Sequence, residues 1–170
     1  MDKAALQDLY AYTGWAWDQI KAAVPNDETL RAVAPGSGWP AIRNCLAHIV
    51  LAYDRWVPAI VDLRSKPLPE LADDDFLTWP QIEAQRRRTR EALQPHLEAW
   101  SDADLRQRHQ VDVDGELLPY SRGELVIHLL LHERGHHGDV TTLFWQLGFD
   151  SETLLEYRFH LGRHERSTSK

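Results

Sequence analysis

The sequence has a single cysteine, Cys45, among its 170 residues. One cysteine cannot form a disulfide within the chain, which excludes a disulfide-stapled secreted scaffold. No apolar run approaches the roughly 20 residues that cross a bilayer. The first residues, Met1 to Ala5, lack a cationic stretch followed by an apolar core. We therefore expect a cytoplasmic protein with no membrane segment.

Positive charge is also scarce, because 19 Lys and Arg residues face 26 Asp and Glu residues and leave a net charge of −7. A nucleic-acid-binding domain normally presents a basic surface, so no nucleic-acid partner is expected. The one basic run comprises Arg86, Arg87, Arg88 and Arg90. Its spacing predicts a solvated helix face.

Helical periodicity is what the sequence does contain. Apolar side chains recur at helical spacing over residues 3–24, 39–63, 79–98 and 122–147, and a shorter helical segment is predicted at 151–161. A chain of this length can bury its own core, so we expect a single domain over residues 1–170. The predicted fold class is all-α, a bundle of four main helices.

Turn and cap residues give the element boundaries. Residues 111 to 117 alternate around Asp114-Gly115, which predicts a short β-hairpin within residues 105–120. Ser121 and Glu124 match a capping box for the fourth helix, and Gly148 ends it. The remaining signals are Ser37 or Gly38 as the cap of the second helix, Thr78 as the cap of the third, and Pro95, which is expected to fray or kink the third helix.

Three histidines are the leading candidates for function. His132 and His136 are four residues apart and therefore lie on one face of the fourth helix. His48 lies in the inward apolar stripe of the second helix. Three imidazoles on facing helices can bind one cation and leave a position for water or substrate, which is typical of catalytic metals. Nitrogen ligation favours a divalent ion, with zinc or nickel preferred and iron or manganese as alternatives.

Two other interpretations of these histidines are open. His128 extends the same stripe by one turn, so His128 and His132 are an alternative ligand pair. Residues 132–136 also spell the metalloprotease pattern HExxH, with Glu133 as general base and Glu156 as a third ligand. No strand-rich segment precedes this pattern to hold a peptide, and His48 would then have no role.

Several neighbours are candidates for ligand support or substrate contact. Asp139 is placed to accept a hydrogen bond from a ligand imidazole, and Asn44 lies one turn from His48. Arg55 is a candidate for a substrate carboxylate, although a salt bridge to a neighbouring helix is the preferred interpretation. Cys45 is interpreted as a small core residue, and His137 as a surface or ligand-supporting group.

The chain resembles the DinB-like superfamily, which includes metal-dependent thiol S-transferases of the YfiT type. The matching residues are Trp39-Pro40 to Trp56, with Leu46-Ala47-His48, and above all Leu129 to Gly148. The final helix of the family often carries the sequence HRGQ followed by an apolar residue. Here that stretch is His136-His137-Gly138-Asp139-Val140, which departs from the pattern at His137 and Asp139.

The resemblance implies an antiparallel four-helix bundle, a three-histidine divalent metal site and often a homodimer. It also implies transfer of a low-molecular-weight thiol, such as bacillithiol or mycothiol, to an electrophilic small molecule. The alternative is a non-enzymatic metal-binding helical dimer. No catalytic residue beyond the metal ligands is assigned.

Apolar side chains off the ligand face support the dimer. They are Ile127, Leu130, Leu131 and Phe144 on the fourth helix, and Leu155, Tyr157 and Phe159 near the C-terminus. An exposed patch of this size favours a two-fold contact. The alternative is a C-terminal segment that folds back over the patch.

Overall fold

The computed structural model of the chain describes residues 2–34, 38–67, 78–149 and 155–161. The long helices are α1 (Lys3–Ala23), α3 (Ile42–Asp62), α4 (Trp79–Ala99) and α6 (Arg122–Gln146), and the short ones are α2 (Asp27–Arg31) and α5 (Asp102–Arg106). Strands β1 (Arg108–Val113) and β2 (Glu116–Ser121) lie between α5 and α6. A short helix over residues 157–161 follows.

The long helices form the antiparallel four-helix bundle that the sequence predicts. Helix α6 packs against α3, α1 and α5, and α3 also packs against α4. This central position explains why α6 is apolar on several sides. Leu130 and Phe144, which we expected to face outward, are buried in the core.

Cap residues set most helix ends as predicted. Ser121 and Glu124 form the capping box of α6, and Thr78 caps α4 together with Gln81. Helix α4 runs through Pro95 to Ala99, so the expected fraying at this proline is wrong.

The second long helix begins later than predicted. The expected start near Trp39 is wrong, because Ala41 is the N-cap and Ile42 the first helical residue. Ala34 N donates to Pro40 O at 3.0 Å, and Val33 pairs with Ala41 in an isolated bridge. These contacts hold the chain extended up to Ala41. Gly38 is therefore not the cap, and Ser37 lies outside the described residues.

The predicted hairpin is confirmed. Val113 pairs with Glu116, which leaves a two-residue loop at Asp114 and Gly115. Both loop residues have positive φ, 55° and 87°, as a type I′ turn requires. Asp112 N donates to Leu63 O at 2.9 Å, so the hairpin is attached to the C-terminal end of α3.

The C-terminal segment lies against α1. Tyr12 Oη donates to Leu155 O at 2.6 Å, and His160 Nε2 lies 3.2 Å from Asp8 Oδ1. Leu155 is buried, which corrects its expected outward position. The helix predicted from 151 is described only from 157, and residues 151–154 lie outside the described residues.

Some apolar side chains of α6 remain exposed. Leu131 is 62% exposed and Trp145 is 66% exposed. Tyr157 and Phe159 are exposed as well, so part of the predicted apolar surface is present. Among the described residues, no helix is both long and apolar enough to span a membrane.

Two glycines of α6 should respond oppositely to substitution by alanine. A Cβ at Gly123 would lie 2.9 Å from Leu105 O, whereas a Cβ at Gly135 would meet nothing within 4 Å. We expect Gly123→Ala to lower the free energy of unfolding by about 1–3 kcal/mol through overpacking. Gly135→Ala should raise it by about 0.5–1 kcal/mol, because alanine loses less backbone entropy in a helix. Urea unfolding of both variants measures the effect, and equal shifts would contradict the packing described here.

Candidate metal centre

Helices α3 and α6 bring the three predicted histidines together. His48 comes from α3, and His132 and His136 come from consecutive turns of α6. His132 Nε2 lies 3.1 Å from His48 Nε2 and 3.2 Å from His136 Nε2. Each side chain is partly exposed. The three Nε2 atoms therefore converge at a point that solvent can reach.

Asp139 and Trp39 support His136. Asp139 Oδ2 lies 2.8 Å from His136 Nδ1, and Trp39 Nε1 donates to the same oxygen at 2.9 Å. A carboxylate acceptor places the ring proton on Nδ1, so the lone pair of Nε2 faces the other two histidines. The Trp39 ring also lies 5.1 Å from the His48 ring and 5.3 Å from the His136 ring.

Two of the histidines, His48 and His132, have lowered pKa values, which favours their uncharged forms. Burial and the neighbouring His136 lower the pKa of His48. Burial, His136 and His48 together lower the pKa of His132 to about 4. Metal binding needs neutral imidazole, so the lowered pKa values of His48 and His132 favour the form that binds a divalent ion.

The similarity of the chain to known proteins agrees with this geometry. The model of the DinB family matches residues 1–166. The chain belongs to the DinB family. A crystal structure of a DinB-like protein from Bacillus cereus is similar, with a TM-score of 0.60 and 25% sequence identity. The match covers 85% of this chain and 91% of that one. No curated protein matches the chain in sequence.

Divalent-metal binding is known for the DinB family, and the described residues of this member include two groups of potential ligands. One is the histidine group, and the other comprises Cys45, His136 and Asp139. Burial, with a smaller contribution from Asp139, raises the pKa of the Cys45 thiol. A protonated thiol is a poor metal ligand. The three histidines are therefore the better donor set.

Other predicted neighbours lie apart from the histidine group. The His128 ring packs edge-to-face on Trp56, with centroids 4.9 Å apart, and lies 6.3 Å from the His132 ring. The alternative pair of His128 and His132 is therefore not the one that meets His48. Arg55 Nη2 lies 2.5 Å from Asp114 Oδ2, so its partner is the hairpin turn and not a neighbouring helix.

Two buried polar atoms close to the histidines have no partner among the described residues. They are Asn44 Oδ1 and His132 Nδ1. Asn44 is thus close in sequence to His48, but its Oδ1 accepts no hydrogen bond from a histidine among the described residues. A ring nitrogen that faces no acceptor leaves His132 less constrained than His136.

Glu133 belongs to a buried polar cluster, not to the metal centre. Its side chain is fully buried, and Arg86 Nη1 lies 2.8 Å from Glu133 Oε1. Tyr53 Oη donates to Glu133 Oε2. His137 Nε2 lies 3.4 Å from Oε1 and is itself fully buried, so the surface position considered for His137 is wrong. Arg86 is also buried, whereas Arg87 and Arg88 are exposed, so the solvated face expected for the basic run is wrong for Arg86 alone among these three.

This burial removes the metalloprotease interpretation. Burial alone would raise the pKa of Glu133, but Arg86 and His137 hold it well below its usual range. A carboxylate held this way is a weak base, and it is screened from solvent. Glu156 Oε2 pairs with Arg158 at 2.5 Å and joins no ligand group in the described part of the chain.

Replacement of Glu133 should destabilise the fold strongly. Glu133→Gln leaves the Arg86 guanidinium buried without a counter-charge, which costs about 3–5 kcal/mol. Guanidinium chloride unfolding at pH 7 measures this loss. Glu98→Gln is the matched control, since Glu98 is exposed and accepts from Gln94, and it should cost less than about 0.5 kcal/mol.

The loss of unfolding free energy in Glu133→Gln should also depend on pH. The folded pKa of Glu133 lies below its unfolded value, so its stabilisation is complete above about pH 4.3 and falls as the pH drops towards the folded pKa. The difference between wild type and Glu133→Gln should therefore shrink below about pH 4. A difference that grows on acidification would contradict the ion pair.

Proposed function

We propose that this DinB-family chain is a divalent-metal-dependent enzyme that transfers a low-molecular-weight thiol to an electrophilic small molecule. The observation that carries the proposal is the convergence of three Nε2 atoms, from His48, His132 and His136, at a partly exposed position. Three protein ligands leave at least one coordination position for a substrate, whereas structural zinc usually has four protein ligands.

The ligands of the proposed metal are His48, His132 and His136. Zinc and nickel suit this all-nitrogen set best. Iron and manganese are alternatives, because affinity alone does not select the ion. A bound divalent cation lowers the pKa of a coordinated thiol and so supplies a thiolate at neutral pH. Asp139 and Trp39 hold His136 in the tautomer that presents Nε2.

The nucleophile must come from outside the chain. Cys45 is the only cysteine, and it is buried with a raised pKa. Its Sγ lies 3.4 Å from the carbonyl oxygen of His136, to which it donates. A protonated, enclosed thiol cannot attack a small molecule. This supports a small thiol as one of two substrates.

Metal content tests the ligand assignment. His132→Ala should lose the bound metal, because two of three ligands remain. Asp139→Asn should keep it with an affinity lowered about 10- to 100-fold, since it weakens the support of one ligand. His96→Ala, which changes an imidazole that packs on Trp100, is the control. Elemental analysis and zinc titration measure this. Equal metal content in wild type and His132→Ala would reject the assignment.

Turnover tests the reaction. The zinc- or nickel-loaded protein is incubated with cysteine, bacillithiol or mycothiol and a chromogenic electrophile. We expect conjugation with at least one thiol, abolished by a chelator and in His132→Ala. The absence of metal-dependent conjugation with every thiol would reject thiol transfer.

Metal removal separates the enzyme from a non-enzymatic metal-binding protein. A structural metal supplies much of the folding free energy of its site, so its removal would lower the melting temperature sharply. The long helices here are joined by a buried core and by the Glu133–Arg86 pair, neither of which contains the metal ligands. We therefore expect chelation to abolish turnover while the fold persists. Unfolding on chelation would favour the structural role.

A homodimer and a cytoplasmic location are parts of the same proposal. Leu131 and Trp145 leave an apolar surface on α6, and a two-fold contact is the commonest way to bury one. Light scattering should report about twice the 19.6 kDa chain mass. A constant monomer mass over a tenfold dilution would reject the dimer.

An unpaired cysteine fits the reducing cytoplasm, and the acidic net charge argues against a nucleic-acid partner.

A further inference from the structure

A small cleft lies one helical turn from the histidine group. It has a volume of about 310 Å³ and is lined by Trp56, Arg108, Tyr120, Glu124, Leu125 and His128. These residues come from α3, both strands of the hairpin and the first turns of α6. The cleft therefore lies where the hairpin meets the two helices that carry the histidines.

Three of the six residues that line the cleft have ring side chains. Trp56 and His128 pack edge-to-face with centroids 4.9 Å apart, and Tyr120 lines the cleft from β2. Leu125 is buried and contributes an apolar surface. Rings in this arrangement bind a planar apolar group by stacking and edge contacts.

The two charged residues of the cleft, Arg108 and Glu124, are paired with each other and with backbone groups. Arg108 Nη1 lies 3.5 Å from Glu124 Oε1, and Arg108 also donates to Pro119 O. The second oxygen of Glu124 accepts from Ser121 N at 2.7 Å in the capping box of α6. Because the charges balance each other, the cleft offers no net charge to a ligand. An uncharged group is favoured.

The cleft adjoins the histidine group through His128. His128 and His132 lie four residues apart on α6, about 6 Å along the helix axis, and their rings lie 6.3 Å apart. A planar group of one or two rings held in the cleft thus reaches towards His132. None of the three histidines lines the cleft itself, so His128 is the residue that links the two places.

We infer that this cleft binds the uncharged aromatic part of the electrophilic acceptor. The inference rests on the proposed function, which it deepens by naming the acceptor class. In the reaction, the thiol sulfur forms a bond to an electron-poor ring carbon. The leaving group, such as chloride, departs with its bonding pair, and the thiol proton passes to solvent. Trp56 and His128 position the ring and take no part in bond making.

Equilibrium dialysis with 2,4-dinitroaniline, an uncharged and unreactive aryl probe, tests the cleft on the metal-free protein. Wild type should bind it, and His128→Ala should raise the dissociation constant about 2- to 12-fold, the equivalent of one lost aromatic contact. His128→Phe keeps a ring and should restore binding. His96→Ala should bind as wild type does. No binding by wild type, or equal binding by His128→Ala, would overturn the inference.

Two further measurements distinguish binding in the cleft from metal-dependent turnover and from attraction of a charged ligand. His132→Ala should lose metal-dependent conjugation but keep the aryl probe, so the cleft and the proposed reaction can fail independently. The anion 3,5-dinitrobenzoate should bind more weakly than the uncharged probe. Tighter binding of the anion would overturn the assignment to an uncharged acceptor. In the loaded enzyme, His128→Ala should raise the KM for 1-chloro-2,4-dinitrobenzene, and an unchanged KM would count against the cleft.

Discussion

The ion pair between Glu133 and Arg86 is the constraint on which the arrangement of this bundle depends. Glu133 of α6 is fully buried and meets Arg86 of α4 and Tyr53 of α3. Arg86 also donates to Thr13 O of α1 and lies 3.9 Å from the Trp17 ring. One polar cluster thus joins all four long helices. A buried charge is tolerated only with its partners in place, so each helix can adopt only one rotation about its axis.

That rotation determines where the proposed metal ligands point. Glu133 and His137 each follow a proposed ligand by one residue, and successive residues on a helix differ in direction by about 100°. When Glu133 and His137 face the polar cluster, His132 and His136 must face α3 and His48. The same helix therefore carries residues of the charged cluster on one side and two imidazoles, His132 and His136, on the other. Asp139 and Trp39 then refine the direction of His136.

Short-range patterns in the sequence predicted most of the fold and all three histidines. Helical spacing placed His132 and His136 on one face, and Asp114-Gly115 predicted the hairpin turn. Contacts between residues far apart in the sequence could not be predicted from it. Trp39 and Asp139 are 100 residues apart, and nothing local marks the tryptophan as a donor. Arg86 was expected to be solvated because it lies in a run of arginines typical of a helix surface. Only the packing of α1, α3 and α6 around α4 shows that its partner is Glu133. His137 was misplaced for the same reason.

The hairpin is attached to α3 in a way that allows its residues to change while the three histidines keep their positions. The three histidines lie on long, buried helices, whereas Arg108 and Tyr120 of the cleft lie on strands joined by a two-residue loop. Arg55 and Leu63 hold this hairpin to α3 through Asp114 and Asp112, and their contacts do not involve the cleft-facing side chains. Substitutions along the strands can thus reshape the cleft without disturbing the imidazoles. If the cleft binds the acceptor as proposed, acceptor preference could change through substitutions in the hairpin while the three histidines stay in place.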